Sequence, residues 1–207
     1  MPAADQTPCP TDRTDEELIL EYRVSRDQSL FSILVHRYER ELYSYLRRYL
    51  GRADWAEDAF QAAFLQLHLK CDQFQEGRRL KPWLYMIATN KAIDLQRKQK
   101  RHQIVSLDTS GRNADGDAAR LVDLVEGDEP SPLTQLNRAE TGDWVQTAID
   151  KLPEHLRLVV NLVYYQGLKY REAADVLSIP VGTVKSRLHS AIGKLTEEWD
   201  ETHEYRE

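Results

Sequence analysis

Between Leu30 and Leu50, Phe31, Leu34, Val35, Tyr38, Leu42, Tyr45, Leu46 and Tyr49 recur three and four residues apart. That spacing follows the 3.6-residue turn and lays one apolar stripe along a long helix. It returns at Leu18, Ile19 and Tyr22, then at Trp55, Ala59, Ala62, Ala63 and Leu67 between Asp54 and Lys70. A fourth helix, Trp83 to Lys98, carries it through Leu84, Ile87, Ala88, Ala92 and Leu95. No stretch alternates apolar with polar residues as a half-buried strand would. The fold class is therefore all-α. Local signals agree: Thr14 with Glu17 three residues on is a capping-box pattern, Gly51 closes the second helix, and Pro82 suits a first helical turn.

The periodicity stops between His102 and about Ser131, where Gly111, Gly116, Gly127, Pro130 and Pro132 punctuate an acidic stretch whose one apolar piece is Leu121 to Val125. A structureless loop of this length is unusual inside one compact domain. The chain thus divides into two small helical domains, 15–101 and 133–199, joined by a flexible acidic linker over 102–132, with tails at 1–14 and 200–207. The two cysteines, Cys9 and Cys71, offer no disulfide framework, and a reduced compartment is the default. No apolar run approaches the roughly 18–20 residues that span a bilayer, and no hydrophobic signal segment precedes Asp15. A cytoplasmic protein with no membrane insertion is expected.

The net charge of −6 argues against a nucleic-acid partner until its distribution is read. From Arg78 to Arg101 there are eight bases (Arg78, Arg79, Lys81, Lys91, Arg97, Lys98, Lys100 and Arg101) against one acid, Asp94. Val181 to Lys194 holds Lys185, Arg187 and Lys194 and no acid, whereas 108–140 carries eight acids and three arginines. Two basic islands in an acidic chain imply DNA contact at defined places.

The second island lies in a motif. Tyr170 to Leu177 reads as a short helix, Ser178-Ile-Pro as a turn, and Val181 to Lys194 as a second helix. Ala174 is small where two helices cross, Leu177, Ile179 and Val184 are apolar at the corner, and Pro180 and Gly182 suit a sharp entry. This is the pattern of a helix-turn-helix, whose second helix enters the major groove. Its outward residues Thr183, Lys185, Ser186, Arg187, His189 and Ser190 are all donors. An ordinary helical hairpin with a polar face is the bland alternative, and the missing acids weigh against it.

Longer stretches are recognisable. Val181-Gly-Thr-Val-Lys-Ser-Arg-Leu-His-Ser-Ala resembles the recognition helix of small members of the sigma-70 superfamily. Leu152-Pro-Glu-His-Leu-Arg-Leu-Val-Val-Asn-Leu resembles the helix before it, and Tyr164 to Ala174 the approach to the motif. Upstream, Ala56-Glu-Asp-Ala-Phe-Gln-Ala-Ala-Phe-Leu-Gln-Leu is similar to the family's polymerase-clamp helix, and Pro82-Trp-Leu-Tyr-Met-Ile-Ala-Thr-Asn-Lys-Ala-Ile-Asp to its promoter-melting helix. Two unrelated motifs in the family's order resemble the extracytoplasmic-function (ECF) layout of an RNA polymerase sigma factor.

The resemblance implies core RNA polymerase and promoter DNA as partners. It makes Glu57, Asp58, Gln61 and Phe64 the polymerase-binding set, where spacing alone favours a solvated acidic face. Ala62 departs from the family, which usually places an acid after the Gln. The melting helix would use Trp83, Tyr85, Asn90, Lys91, Asp94, Arg97, Lys98 and Arg101. Its bases suit phosphates, and Trp83 and Tyr85 suit stacking on an unpaired base; for Trp83 a place in the core reads equally well. Tyr170, Arg171 and Val181 join the donors of the helix-turn-helix in the DNA-binding set. By the same resemblance, 72–81 forms a pocket for an extruded base, the acidic linker threads the polymerase channel, and an anti-sigma protein restrains the chain. A disordered tether explains the linker's composition equally well.

Other classes fit less. A free-standing helix-turn-helix regulator with a helical sensing domain leaves the first basic island unused. No phosphate-binding Gly-rich loop, His-Glu-x-x-His, Gly-x-Ser-x-Gly or zinc-spaced Cys pair is present, so no catalytic residue, cofactor or metal is expected. His68 and Cys71, one turn apart, make two ligands at best.

Overall fold

The computed structural model describes residues 13–106 and 144–203, the side chains of 99–106 and 203 excepted. Among these residues there is no strand, and two compact units can be described separately.

The first unit contains α1 (Asp15–Ser25), α2 (Gln28–Leu50), α3 (Ala53–Lys70) and α4 (Leu80–Ser106). The capping box at α1 is complete: Glu17 N donates to Thr14 Oγ1 at 3.2 Å, and Thr14 N donates to Glu17 Oε2 at 2.8 Å. The helix ends at Arg26, which is left-handed at φ 57° and donates its N–H to Tyr22 O at 2.8 Å. Asp27 then caps α2 by accepting from Ser29 N at 2.9 Å. Gly51 closes α2 at φ 74°, a region where a Cβ is strained.

The predicted stripes become the core. Leu18, Ile19 and Tyr22 of α1 are buried with Leu34, Tyr38, Leu42, Tyr45 and Leu46 of α2. Ala56, Ala59 and Ala63 of α3 and Ala88 and Ala92 of α4 are buried too, and α3 packs on both α2 and α4. Small residues on two packed helices let their axes approach closely. Burial of each large aliphatic side chain stabilises by roughly 1.5–3 kcal/mol. A polar pair buried in the unit is mutually satisfied: the Tyr45 and Thr89 hydroxyls share a hydrogen bond at 2.7 Å.

α3 passes through a short 3₁₀ turn, Cys71–Gln73, to a connection that leads into α4. α4 begins three residues before Trp83 and runs through Ser106, into the stretch read from sequence as linker. Residues 107–143, with the rest of that linker, lie outside the described residues, as do 1–12 (with Cys9) and 204–207.

The second unit starts with α5, a helical stretch over 144–151, followed by α6 (Glu154–Val160) and a single π turn, Asn161–Tyr165. α7 (Tyr170–Leu177) and α8 (Val181–His203) complete it. α8 extends well past Lys194, where the acid-free stretch ends, and α6 packs against it. Trp144 of α5 meets Trp199 of α8 edge-on at 4.7 Å, and Lys151 pairs with Glu198 at 2.5 Å. Those contacts give the end of α8 a structural use that its acidic composition did not suggest.

Candidate nucleic-acid and polymerase interface

The turn expected from Ser178-Ile-Pro is present. Ser178 takes φ 53°, Ile179 N donates to Ala174 O at 3.0 Å, and Pro180 O accepts from Thr183 N at 2.9 Å to start α8. Val184, Leu188 and Ala191 are buried at four-and-three spacing. The remaining circumference carries Lys185, Ser186, His189 and Ser190 exposed, with Val181, Thr183 and Arg187 half-buried. Tyr170 and Arg171 are exposed at the start of α7, where Lys169 N donates to Glu172 Oε2 at 2.8 Å. Ser186 already directs its hydroxyl proton to Thr183 O, at 3.1 Å, which leaves its oxygen as an acceptor.

On α4, Asn90, Asp94, Arg97 and Lys98 are exposed at roughly helical spacing and Lys91 is half-buried beside them. The Arg101 side chain lies outside the described residues, as does that of Lys100. At the other end of the helix, Trp83 is half-buried and its ring lies 5.3 Å from that of Phe74, the residue whose carbonyl accepts from Arg23 at 3.0 Å. One part of Trp83 is packed against Phe74 and another is open to solvent.

Tyr85 is a correction. Its side chain has 0% exposure, its ring packs 5.1 Å from Tyr45, and it offers no surface to a base. Two residues beyond Trp83 on a 3.6-residue helix is about 200° of rotation, which turns Tyr85 to the opposite side. Burial, with the Glu41 carboxylate close by, pushes its hydroxyl pKa far up, so it stays protonated.

On α3, Glu57, Asp58 and Gln61 are exposed on adjacent turns, as the spacing predicted. Phe64 is the second correction: it is buried, with Phe60 at 4.9 Å and Phe31 at 6.1 Å from its ring. It lies next to Ala63 and one turn beyond Phe60, on the side of α3 that meets α2. Sequence reasoning also missed Leu65 and Leu69, which are 60% and 64% exposed and extend the Gln61 row toward the end of α3. The available signal was their four-residue step from Gln61 on a face otherwise polar. His68, which is exposed, and Cys71, which is buried, both have partners within the chain: the Tyr22 hydroxyl lies 2.5 Å from His68 Nδ1, and Arg26 donates to Cys71 Sγ at 2.7 Å. Among the described residues no group of three or more metal-ligating side chains gathers.

Two separate stretches match family descriptions in order: residues 34–102 match Sigma-70 region 2, and residues 142–195 match Sigma-70, region 4. The ECF RNA polymerase sigma factor SigW of Bacillus subtilis strain 168 is 32% identical over 177 residues, covering 84% of this chain and 92% of the relative. The chain belongs to the ECF sigma factors. The ECF RNA polymerase sigma-E factor of Escherichia coli K12 is 29% identical over 185 residues, covering 87% and 92%. In fold, this sigma factor is similar to the sigma factor RpoE of Bartonella quintana in its complex with the anti-sigma factor NepR. The TM-score is 0.62 at 24% identity, over 81% of this chain and 94% of that one. A similar likeness, TM-score 0.60 at 24% identity, links it to CnrH in complex with the cytosolic domain of CnrY, over 90% and 97%. These two likenesses concern the fold.

The matched region 2 begins within α2, so α1 precedes it, and the matched region 4 ends eight residues before α8 does. Sigma factors are not a class of enzyme. No helix among the described residues is long and apolar enough to cross a membrane.

Proposed function

We propose that this sigma factor binds core RNA polymerase through α3, opens promoter DNA with α4 and reads an upstream promoter element with α8. One observation carries the reading: two sigma regions, matched independently and in order, each bear an exposed polar helix face of the needed charge. The division into 15–101, a linker over 102–132 and 133–199 belongs to the same proposal.

Recognition does the work, without covalent chemistry. Glu57, Asp58 and Gln61 meet a basic surface on the clamp of the polymerase's largest subunit. Arg97, Lys98 and Arg101, with Lys91, neutralise phosphates, and each contact steepens the dependence on salt. Asn90 and Asp94 are placed to meet base edges. Trp83 supplies a stacking contact worth roughly 1–3 kcal/mol. Extrusion of a base costs a few kcal/mol, so that contact offsets part of it and a pocket formed by 72–81 supplies more. On α8, Thr183, Lys185, Ser186, Arg187, His189 and Ser190 face the major groove, and Val181, Tyr170 and Arg171 adjoin the backbone. A basic side chain on a guanine edge gives about 1–3 kcal/mol of discrimination. The linker occupies the polymerase channel, an anti-sigma protein restrains the factor, and the site of action is the cytoplasm. The chain has no catalytic activity of its own.

The test is run-off transcription with purified core polymerase over a library of promoters. Defined start sites that appear only with this chain are the expected result. A chain that neither associates with core nor changes where synthesis starts would overturn the reading.

A further inference from the structure

The four first-turn N–H groups of a helix lack partners within it, and for α4 one of them is satisfied from far away in sequence. Leu80 N donates to Glu16 Oε1 at 2.9 Å, across 64 residues. The next residue is held as well: Lys81 Nζ pairs with Glu41 Oε1 at 2.5 Å and sits 5.8 Å from the Tyr85 ring centroid. The Glu41 carboxylate also lies close enough to the buried Tyr85 hydroxyl to help hold it protonated. A carboxylate of α1 and one of α2 thus converge on two successive residues at the start of α4. The anchors are themselves anchored. Asp15 of α1 accepts from Arg37 at 2.6 Å and from the Tyr38 hydroxyl at 2.5 Å, tying α1 to α2 next to both acids.

The bonds are suited to hold a position. Anionic acceptors at a helix N-terminus are favoured by the helix dipole, and hydrogen bonds to a charged group are the stronger kind. They are partly buried: Lys81 and Glu41 keep only 22% and 37% of their side-chain exposure. Trp83 follows Lys81 by two residues, and the connection over 74–79 ends at Leu80. Whatever fixes Leu80 and Lys81 fixes the height and rotation at which Trp83 and that connection are presented.

We propose that Glu16 and Glu41 are positioning residues for promoter opening, which hold the first turn of α4 so that Trp83 and the 74–79 connection meet an unpaired base in register. This rests on the reading of α4 as the opening helix. It gives α1, which precedes the matched sigma region, a part in the step.

The experiment uses the full chain with core polymerase on two templates, one fully duplex promoter and one with a preformed bubble. Permanganate reactivity of unpaired thymines follows opening. Glu16→Ala is expected to slow opening of the duplex by about tenfold, the size of one lost charge-assisted hydrogen bond. On the preformed bubble it should match wild type, with core affinity unchanged. Glu16→Gln, which keeps an oxygen acceptor, should recover most of the rate.

An equal loss on both templates would mean a merely structural role and would overturn the inference. Trp83→Ala separates the inference from the reading beneath it. If Trp83→Ala opens slowly on duplex while Glu16→Ala opens like wild type, the positioning role fails and the opening helix stands. If both open normally, the reading of α4 has failed. Should Glu16→Ala not fold, Lys81→Met removes the ion pair, keeps the apolar stem, and is judged on the same two templates by the same criteria.

Discussion

Arg187 sits half-buried on a helix turn whose neighbours Lys185, Ser186, His189 and Ser190 are exposed and uncharged or basic. Arg187→Ala removes a bidentate donor without placing a new charge on that face. Transcription from a cognate promoter should then fall by about tenfold, within the range for one lost base contact. Undiminished run-off product from that promoter would remove Arg187 from the reading set. The same scale shows where side-chain lists made from sequence go wrong. Tyr85 and Phe64 were grouped with neighbours by motif, yet each is turned inward: Tyr85 toward Tyr45, and Phe64 toward Phe31. Neighbours in a motif share a helix, and only its rotation decides which of them faces out.

The starts of α1, α2 and α3 carry acids, which makes the stability of these helices sensitive to pH. The backbone N–H of the capping box at Thr14 holds Glu17 below the ordinary carboxylate range, and Ser29 N–H does so for Asp27. The Arg52 guanidinium does the same for Asp54. A carboxylate whose pKa is lowered on folding adds stability that is present above its unfolded value, near 4, and is lost as pH falls through the lowered one. The melting temperature should therefore vary little from pH 7 to pH 5 and decline below about pH 4. Glu17→Gln, which removes the titrating group of the box, should melt lower at pH 7 and lose less on acidification. An acid-independent difference between the two proteins would contradict this account of α1. Element starts and stops were legible where a local residue makes them, as at Thr14 and Gly51. They were misjudged at α4, which begins at Leu80 because a carboxylate from α1 accepts its first N–H. No local signal marks such a cap.

At the scale of the whole molecule, a chain of net charge −6 carries two stretches poor in acids and rich in bases, 78–101 and 181–194. Such a protein binds bulk duplex weakly, since repulsion from the acidic remainder opposes phosphate contact. Specific complexes should therefore require core polymerase. In gel shifts at physiological salt the free chain is expected to leave promoter duplex unshifted, and the chain with core to shift it. Tight specific binding by the free chain would favour a stand-alone regulator. The two-domain division followed from the Gly- and Pro-punctuated acidic stretch, and the two matched sigma regions fall on either side of it.

The order of helices, their apolar stripes and the recognition motif were determined by sequence alone, because each depends on residues within a turn or two of one another. The inward rotation of Tyr85 and Phe64, the exposure of Leu65 and Leu69, and the grip of Glu16 and Glu41 on α4 were decided only by tertiary structure. They depend on which helix lies opposite, and residues as far apart as 16 and 80 carry no mark of each other until the chain has folded.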